Sequence, residues 1–90
     1  MAFWRVDFTT EGERDFNKLD SSIRKRVVNK LRWLERNFEN VLPEPLSYDL
    51  RDFLKLRIGQ WRVVYGINKK DQTLEVHSIE LRDKVYKNIF

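Results

Sequence analysis

FLKLRIGQWRVVYGI, residues 53–67, is the stretch whose reading decides the fold. Apolar and polar residues alternate on both sides of Gly59-Gln60, and a glycine in a two-residue loop between alternating runs marks a tight β-hairpin. That turn sets the register: Ile58 pairs with Trp61, Arg57 with Arg62, Leu56 with Val63, Lys55 with Val64 and Leu54 with Tyr65. The period of two then sorts the side chains. Leu54, Leu56, Ile58, Trp61, Val63 and Tyr65 share one face, which must meet a core, while Lys55, Arg57 and Arg62 share the other.

Working outward, the polar run Asn68 to Gln72 leads into a third strand, Thr73 to Leu81, and completes a three-stranded meander. If this second hairpin closes with Ile67 opposite Leu74, His77 lies opposite Val64 on the basic face. Upstream, Pro43 and Pro45 interrupt the pattern, so Glu39 to Arg51 reads as a connector. Before it, Ile23, Val27, Leu31, Leu34 and Phe38 recur at helical spacing, with Asp20, Ser21 and Ser22 as turn and cap residues. A shorter helix to about Leu19 is predicted to start at a capping box of Thr10 and Glu13. Its apolar content, Phe16 and Leu19, is thin enough that it should lean on the longer helix. Phe3 to Phe8 is rich in strand formers, and the tail Asp83 to Phe90 has room for a helical turn. The expected fold is α+β: one domain over residues 1–90, with a small antiparallel sheet packed on two N-terminal helices. The sheet becomes mixed if the N-terminal strand joins it.

Composition agrees with one modest core. The chain of 90 residues is 41% hydrophobic and 36% charged, too rich in apolar groups to be disordered and too charged to span a bilayer. The absence of cysteine excludes a disulfide framework and a thiolate metal site, and Met1 to Phe8 has no basic head followed by an apolar run. A cytoplasmic protein with no membrane association is expected. The single histidine and the lack of a glycine-rich phosphate loop leave no recognisable metal, cofactor or nucleophilic-triad motif.

The net charge of +4 favours acidic partners such as phosphate backbones. In the long helix Arg24, Lys25, Arg26, Lys30, Arg32 and Arg36 surround the apolar stripe with little acid among them, which suits either a solvated outer face or a basic patch. The more informative feature is Arg57 opposite Arg62, because like charges across a strand pair are destabilising by up to roughly 1 kcal/mol. Carboxylates from elsewhere can neutralise them, or the register can differ by one. Otherwise the pair reads as an anion site, in which an arginine fork clamps a phosphate and Lys55 adds a point charge. Arg82 ends the last strand, and Tyr86 follows four residues later within reach of the same face. Such groups can stabilise the negative charge that builds up when a ribose 2′-hydroxyl attacks the adjacent phosphate.

Two segments, KLRIGQWRVVY (55–65) and VHSIELRDKVY (76–86), resemble the RelE/ParE superfamily of toxins from bacterial and archaeal toxin–antitoxin systems. The order of strand, two helices, proline-containing connector and meander resembles that family too. For RelE-like members the resemblance implies a ribosome-dependent endoribonuclease that cuts messenger RNA in the ribosomal A site, needs no metal or cofactor, and is held inactive by a cognate antitoxin. It implies catalytic roles for Lys55, Arg62, Arg82 and Tyr86: the two arginines hold the scissile phosphate, Lys55 binds the backbone and assists proton transfer, and Tyr86 is the candidate base or acid. A phenol titrates near about 10, so as a base Tyr86 needs cations nearby. Arg57, Lys30, Arg26 and His77 are the further expected RNA contacts. Many members read Ile-Gly-His-Arg where this chain has Ile79-Glu80-Leu81-Arg82, and Phe53 stands where some ribonucleases carry a basic residue. The alternative within the superfamily is a ParE-kind inhibitor, which binds DNA gyrase and needs no catalytic residues.

Overall fold

The computed structural model describes residues 4–46 and 52–81. Strand β1 (Arg5–Phe8) leads into helices α1 (Thr10–Lys18) and α2 (Ser21–Asn37), and α2 ends in a 3₁₀ turn, Phe38–Asn40. Four strands follow: β2 (Glu44–Pro45), β3 (Leu54–Ile58), β4 (Trp61–Asn68) and β5 (Thr73–Leu81). They form a five-stranded sheet in the order β1-β5-β4-β3-β2. β1 runs parallel to β5, from Arg5 opposite Thr73 to Phe8 opposite Val76, and the other neighbours are antiparallel. The sheet is therefore mixed, and both helices lie on one of its faces. Among the described residues no helix is long and apolar enough to cross a membrane.

The β3–β4 hairpin has all five expected pairs, from Leu54 with Tyr65 to Ile58 with Trp61. Gly59 carries φ +61 at the first turn position, as a type II′ turn requires, and that twist matches the flanking strands. Val27, Leu31, Leu34 and Phe38 bring the α2 stripe onto Leu54, Ile58, Val63, Tyr65, Leu74, Val76 and Ile79. Trp61 packs on the same side, and Trp4 meets the Phe38 ring at 4.7 Å. The Asp20 side chain caps α2 by accepting from the Ile23 amide at 2.9 Å. That bond, with the Ser22 hydroxyl, holds its carboxyl below the usual carboxylate range.

Three local expectations change. The connector is not wholly irregular, because Glu44–Pro45 forms the strand β2 at the edge of the sheet, where a proline is tolerated since among the described residues that side of the strand has no neighbour. Helix α1 lies chiefly on β5 instead of leaning on α2. Its N-cap is Thr9, not Thr10: pairing with β5 keeps the chain extended through Thr9, whose amide and hydroxyl both donate to the Val76 carbonyl, at 3.0 and 3.2 Å. The same hydroxyl accepts from the Gly12 amide at 3.1 Å, so the third helical position is Gly12 and Glu13 lies beyond the capping box.

Gly12 is small for a reason. A Cβ there would overlap the Val76 carbonyl, the group that receives both Thr9 bonds. Gly12→Ala is expected to lower stability by about 1 to 3 kcal/mol, measured by urea denaturation. Alanine's better helix propensity, worth up to about 1 kcal/mol, acts in the opposite direction. A midpoint equal to or above that of the native chain would contradict the close approach of α1 to β5.

Two helical carboxylates finish the β1 side of the sheet. Glu35 of α2 accepts from the outward Val6 amide of β1 at 2.7 Å, and Asp15 of α1 accepts from the Ile79 amide, beyond the end of β1, at 3.0 Å. Both satisfy strand donors that would otherwise offer an open edge.

Candidate nucleic-acid interface on the outer face of the sheet

The face turned away from the helices carries Lys55 and Arg57 from β3 and Arg62 and Val64 from β4. Arg57 does stand directly opposite Arg62, so the like-charge pair is no artefact of register. Carboxylates from neighbouring strands balance it. Glu44 of β2 sits opposite Lys55 and places one oxygen 3.4 Å from Lys55 Nζ and 3.5 Å from Arg57 Nη2. On the other side, Glu80 of β5 is the cross-strand neighbour of Arg62.

Access to the three cations is graded. The Arg57 side chain is 57% exposed and that of Lys55 is 12% exposed, while Arg62 is 3% exposed. Arg57 thus meets solvent directly. Lys55 is largely covered, and Arg62 lies beneath the surface as a buried charge. The same face has an apolar part, where Leu46 and Phe53 close over Val64. The Leu46 amide donates to the Phe53 carbonyl at 2.7 Å and ties the connector to the start of β3. A two-faced strand pattern does not reveal this second, small core, although Val64 on the polar face hints at it.

His77 is not opposite Val64. Ile67 does pair with Leu74, but a bulge between Val64 and Tyr65 places Ser78 opposite Val64 and leaves His77 as the extra residue. Its ring meets Phe53 edge-on at 5.4 Å and lies over Gly66, where an added Cβ would stand 3.1 Å from Nε2. Three residues of strand, about 10 Å, separate it from the level of Glu80 and Arg62.

Arg26 and Lys30 are not gathered with Lys55 and Arg57. They belong to α2, across the sheet: the Arg26 guanidinium approaches Gly59 at the hairpin turn, and Lys30 Nζ stands 3.9 Å above the Trp33 ring. Arg82, Tyr86 and the expected C-terminal helical turn lie outside the described residues. Tyr65 cannot take the place of Tyr86 as a base on the outer face. It is 1% exposed within the apolar core, and burial raises its phenol above the ordinary value.

The face is therefore a shallow cationic surface with a carboxylate already in it. It can receive a phosphodiester at Arg57 and Lys55 if Glu44 yields its place; Arg62, below them, adds positive potential and donates to the phosphate directly only if the groups above it part.

The sequence pattern of the family described as ParE toxin of type II toxin–antitoxin system, parDE, matches residues 6–86. Among curated protein sequences none matches the chain. Among solved structures, the toxin–antitoxin complex RelBE2 from Mycobacterium tuberculosis is 29% identical with a TM-score of 0.77, over 90% of this chain and 100% of that one. The isolated E. coli RelE toxin shares the fold with a TM-score of 0.72 at 18% identity, over 99% of this chain and 100% of that one. The YoeB/ParE toxin from Agrobacterium tumefaciens does so with a TM-score of 0.69 at 24% identity, over 86% and 96%.

Proposed function

Because the chain belongs to the ParE toxin family of type II toxin–antitoxin systems, we propose that it acts as a RelE-like endoribonuclease, cutting messenger RNA in the ribosomal A site. A cognate antitoxin covers and silences it. The observation that supports this most is the placement of Lys55, Arg57 and Arg62 on one face of the sheet, with Arg62 paired to Glu80, two residues before Arg82 in the sequence. In the proposed reaction the 2′-oxygen of a nucleotide attacks its own 3′-phosphate while Tyr86 accepts the 2′-proton. The bond to the 5′-oxygen breaks, and that oxygen leaves with a proton delivered through Lys55, giving a cyclic phosphate and a 5′-hydroxyl. Arg62 and Arg82 stabilise the extra charge on the phosphoryl oxygens. Likeness to the RelBE2 complex supports both the RelE-like reading and an antitoxin partner.

A second reading is a ParE-kind inhibitor of DNA gyrase without catalysis. The burial of Arg62, with Glu80 across from it, favours that reading, because a charge placed there can serve the fold alone. Primer extension on translated messages after induced expression separates the two: cuts within A-site codons support the ribonuclease, and intact messages with stalled gyrase support the inhibitor.

Glu44 gives a prediction specific to this face. Glu44→Gln is expected to bind single-stranded RNA more tightly, and its affinity should fall more steeply with salt, by about 0.7 in the log–log slope for one added phosphate contact. Stability should change by less than about 1 kcal/mol, since the pair is partly exposed. Fluorescence anisotropy across a salt series measures the binding, and an unchanged slope would mean that RNA does not enter between Lys55 and Arg57.

A further inference from the structure

We propose that the outer face of α2 is a second polyanion-binding surface, built for the backbone of double-helical RNA and separate from the sheet face. It lies on the opposite side of the molecule. The apolar stripe of α2 is spent on the sheet, and the helical repeat of 3.6 puts Lys25, Asn29, Arg32 and Arg36 in one row pointing directly away from that stripe. All four are exposed. The row runs about 16 Å along the helix axis.

Its charge is concentrated and unopposed. Helix α2 holds six cations and one carboxylate, an excess larger than the +4 of the whole chain. The one carboxylate, Glu35, is engaged by the Val6 amide at 2.7 Å. Among the described residues none of Lys25, Arg32 and Arg36 forms an ion pair. An ordinary solvated helix face mixes signs, and this one carries a repulsion that an external anion would relieve.

Nucleic acid fits the row better than a membrane or an acidic protein. Lipid binding by a helix uses an apolar face inserted beside the charges, but here that face is inside the core. A protein partner would seek apolar anchors, and those near the row lie to its sides: Arg32 lines a groove with Val6, Phe8, Phe16 and Val28, and Trp33, 41% exposed, has Lys30 over its ring. A line of arginine and lysine interrupted by an amide instead matches a phosphate backbone, in which arginine forks take phosphates and asparagine bonds to sugar or phosphate oxygens. A-form RNA shows phosphates and 2′-hydroxyls together across a shallow groove, which gives Asn29 a partner that DNA lacks. The proposal does not depend on cleavage, because it concerns binding on a face remote from Lys55 and Arg57.

The test compares the full chain with a triple variant, Lys25→Gln, Arg32→Gln and Arg36→Gln, whose changes are all on the surface and whose folding is checked by circular dichroism. Binding to a short RNA duplex is measured between about 50 and 200 mM salt. The triple variant is expected to bind at least about tenfold more weakly at the low end, with a log–log salt slope shallower by about 2 to 3. An unchanged affinity and slope in the triple variant would overturn the proposal. So would equal binding to a DNA duplex of the same sequence, or a loss confined to anionic phosphatidylserine vesicles or to polyglutamate.

Discussion

Leu34→Ala should lower the free energy of unfolding by about 2 to 5 kcal/mol. Leu34 is fully buried and sits where α2 meets the middle of the sheet, packed in the cluster that holds Phe38, Leu54, Tyr65 and Leu74. Those neighbours come from the 3₁₀ turn that ends α2, from both strands of the first hairpin and from β5, so the cavity left by truncation is walled by several packed elements and has little freedom to collapse. A domain of this size has on the order of 5 to 15 kcal/mol of stability in all, so the variant should be near the edge of folding at 37 °C. Urea denaturation with a slope equal to that of the native chain is the measurement. A loss below about 1 kcal/mol would mean that α2 is not seated by its stripe.

Arg62 is the second site where one change should have a large effect, this time on activity. As a ribonuclease the protein should lose about 10²- to 10³-fold in cleavage rate on Arg62→Ala, the usual result of removing one preorganised donor to a developing oxyanion. Alanine at a position only 3% exposed also leaves a cavity and removes the cation across from Glu80, so a loss of toxicity through misfolding has to be separated from a loss of chemistry. Arg62→Lys separates them. It keeps the charge and most of the volume but lacks the planar fork, so it should fold, resist urea nearly as well as the native chain, and still cleave poorly. If Arg62 only balances carboxylates within the fold, lysine should restore full toxicity.

Both expectations use features legible in the sequence alone. The register of the central hairpin follows from Gly59-Gln60 and from an alternation that only Val64 breaks, and every pair from Leu54–Tyr65 to Ile58–Trp61 is as expected. The α2 stripe was equally plain, because Ile23, Val27, Leu31, Leu34 and Phe38 have no competing period. Contacts between distant segments were not legible. Nothing around Glu44 announces that two residues of the connector will pair with β3 and bring a carboxylate between Lys55 and Arg57, since a two-residue edge strand has no periodicity to read. The bulge that displaces His77 is invisible for a related reason. One extra residue changes the facing of everything beyond it, and only the apolar spacing of Val76 and Ile79, three apart where a regular strand would give two or four, signals it. Thr9 and Thr10 both fit a helix cap, and the choice depends on where β5 lies. Arg26 and Lys30 share their charge with Lys55 but belong to α2 across the sheet, and the spacing of charges along the chain does not say on which side of the sheet an element packs.

What the protein does to a translated message is the measurement that decides most. Primer extension on messages from cells expressing the native chain, with Arg62→Lys expressed beside it, should show cuts inside A-site codons for the native protein and few or none for the folded variant. Intact messages under both, with growth arrested and gyrase trapped on DNA, would contradict the ribonuclease and leave Lys55, Arg57 and Arg62 to the fold and its partners.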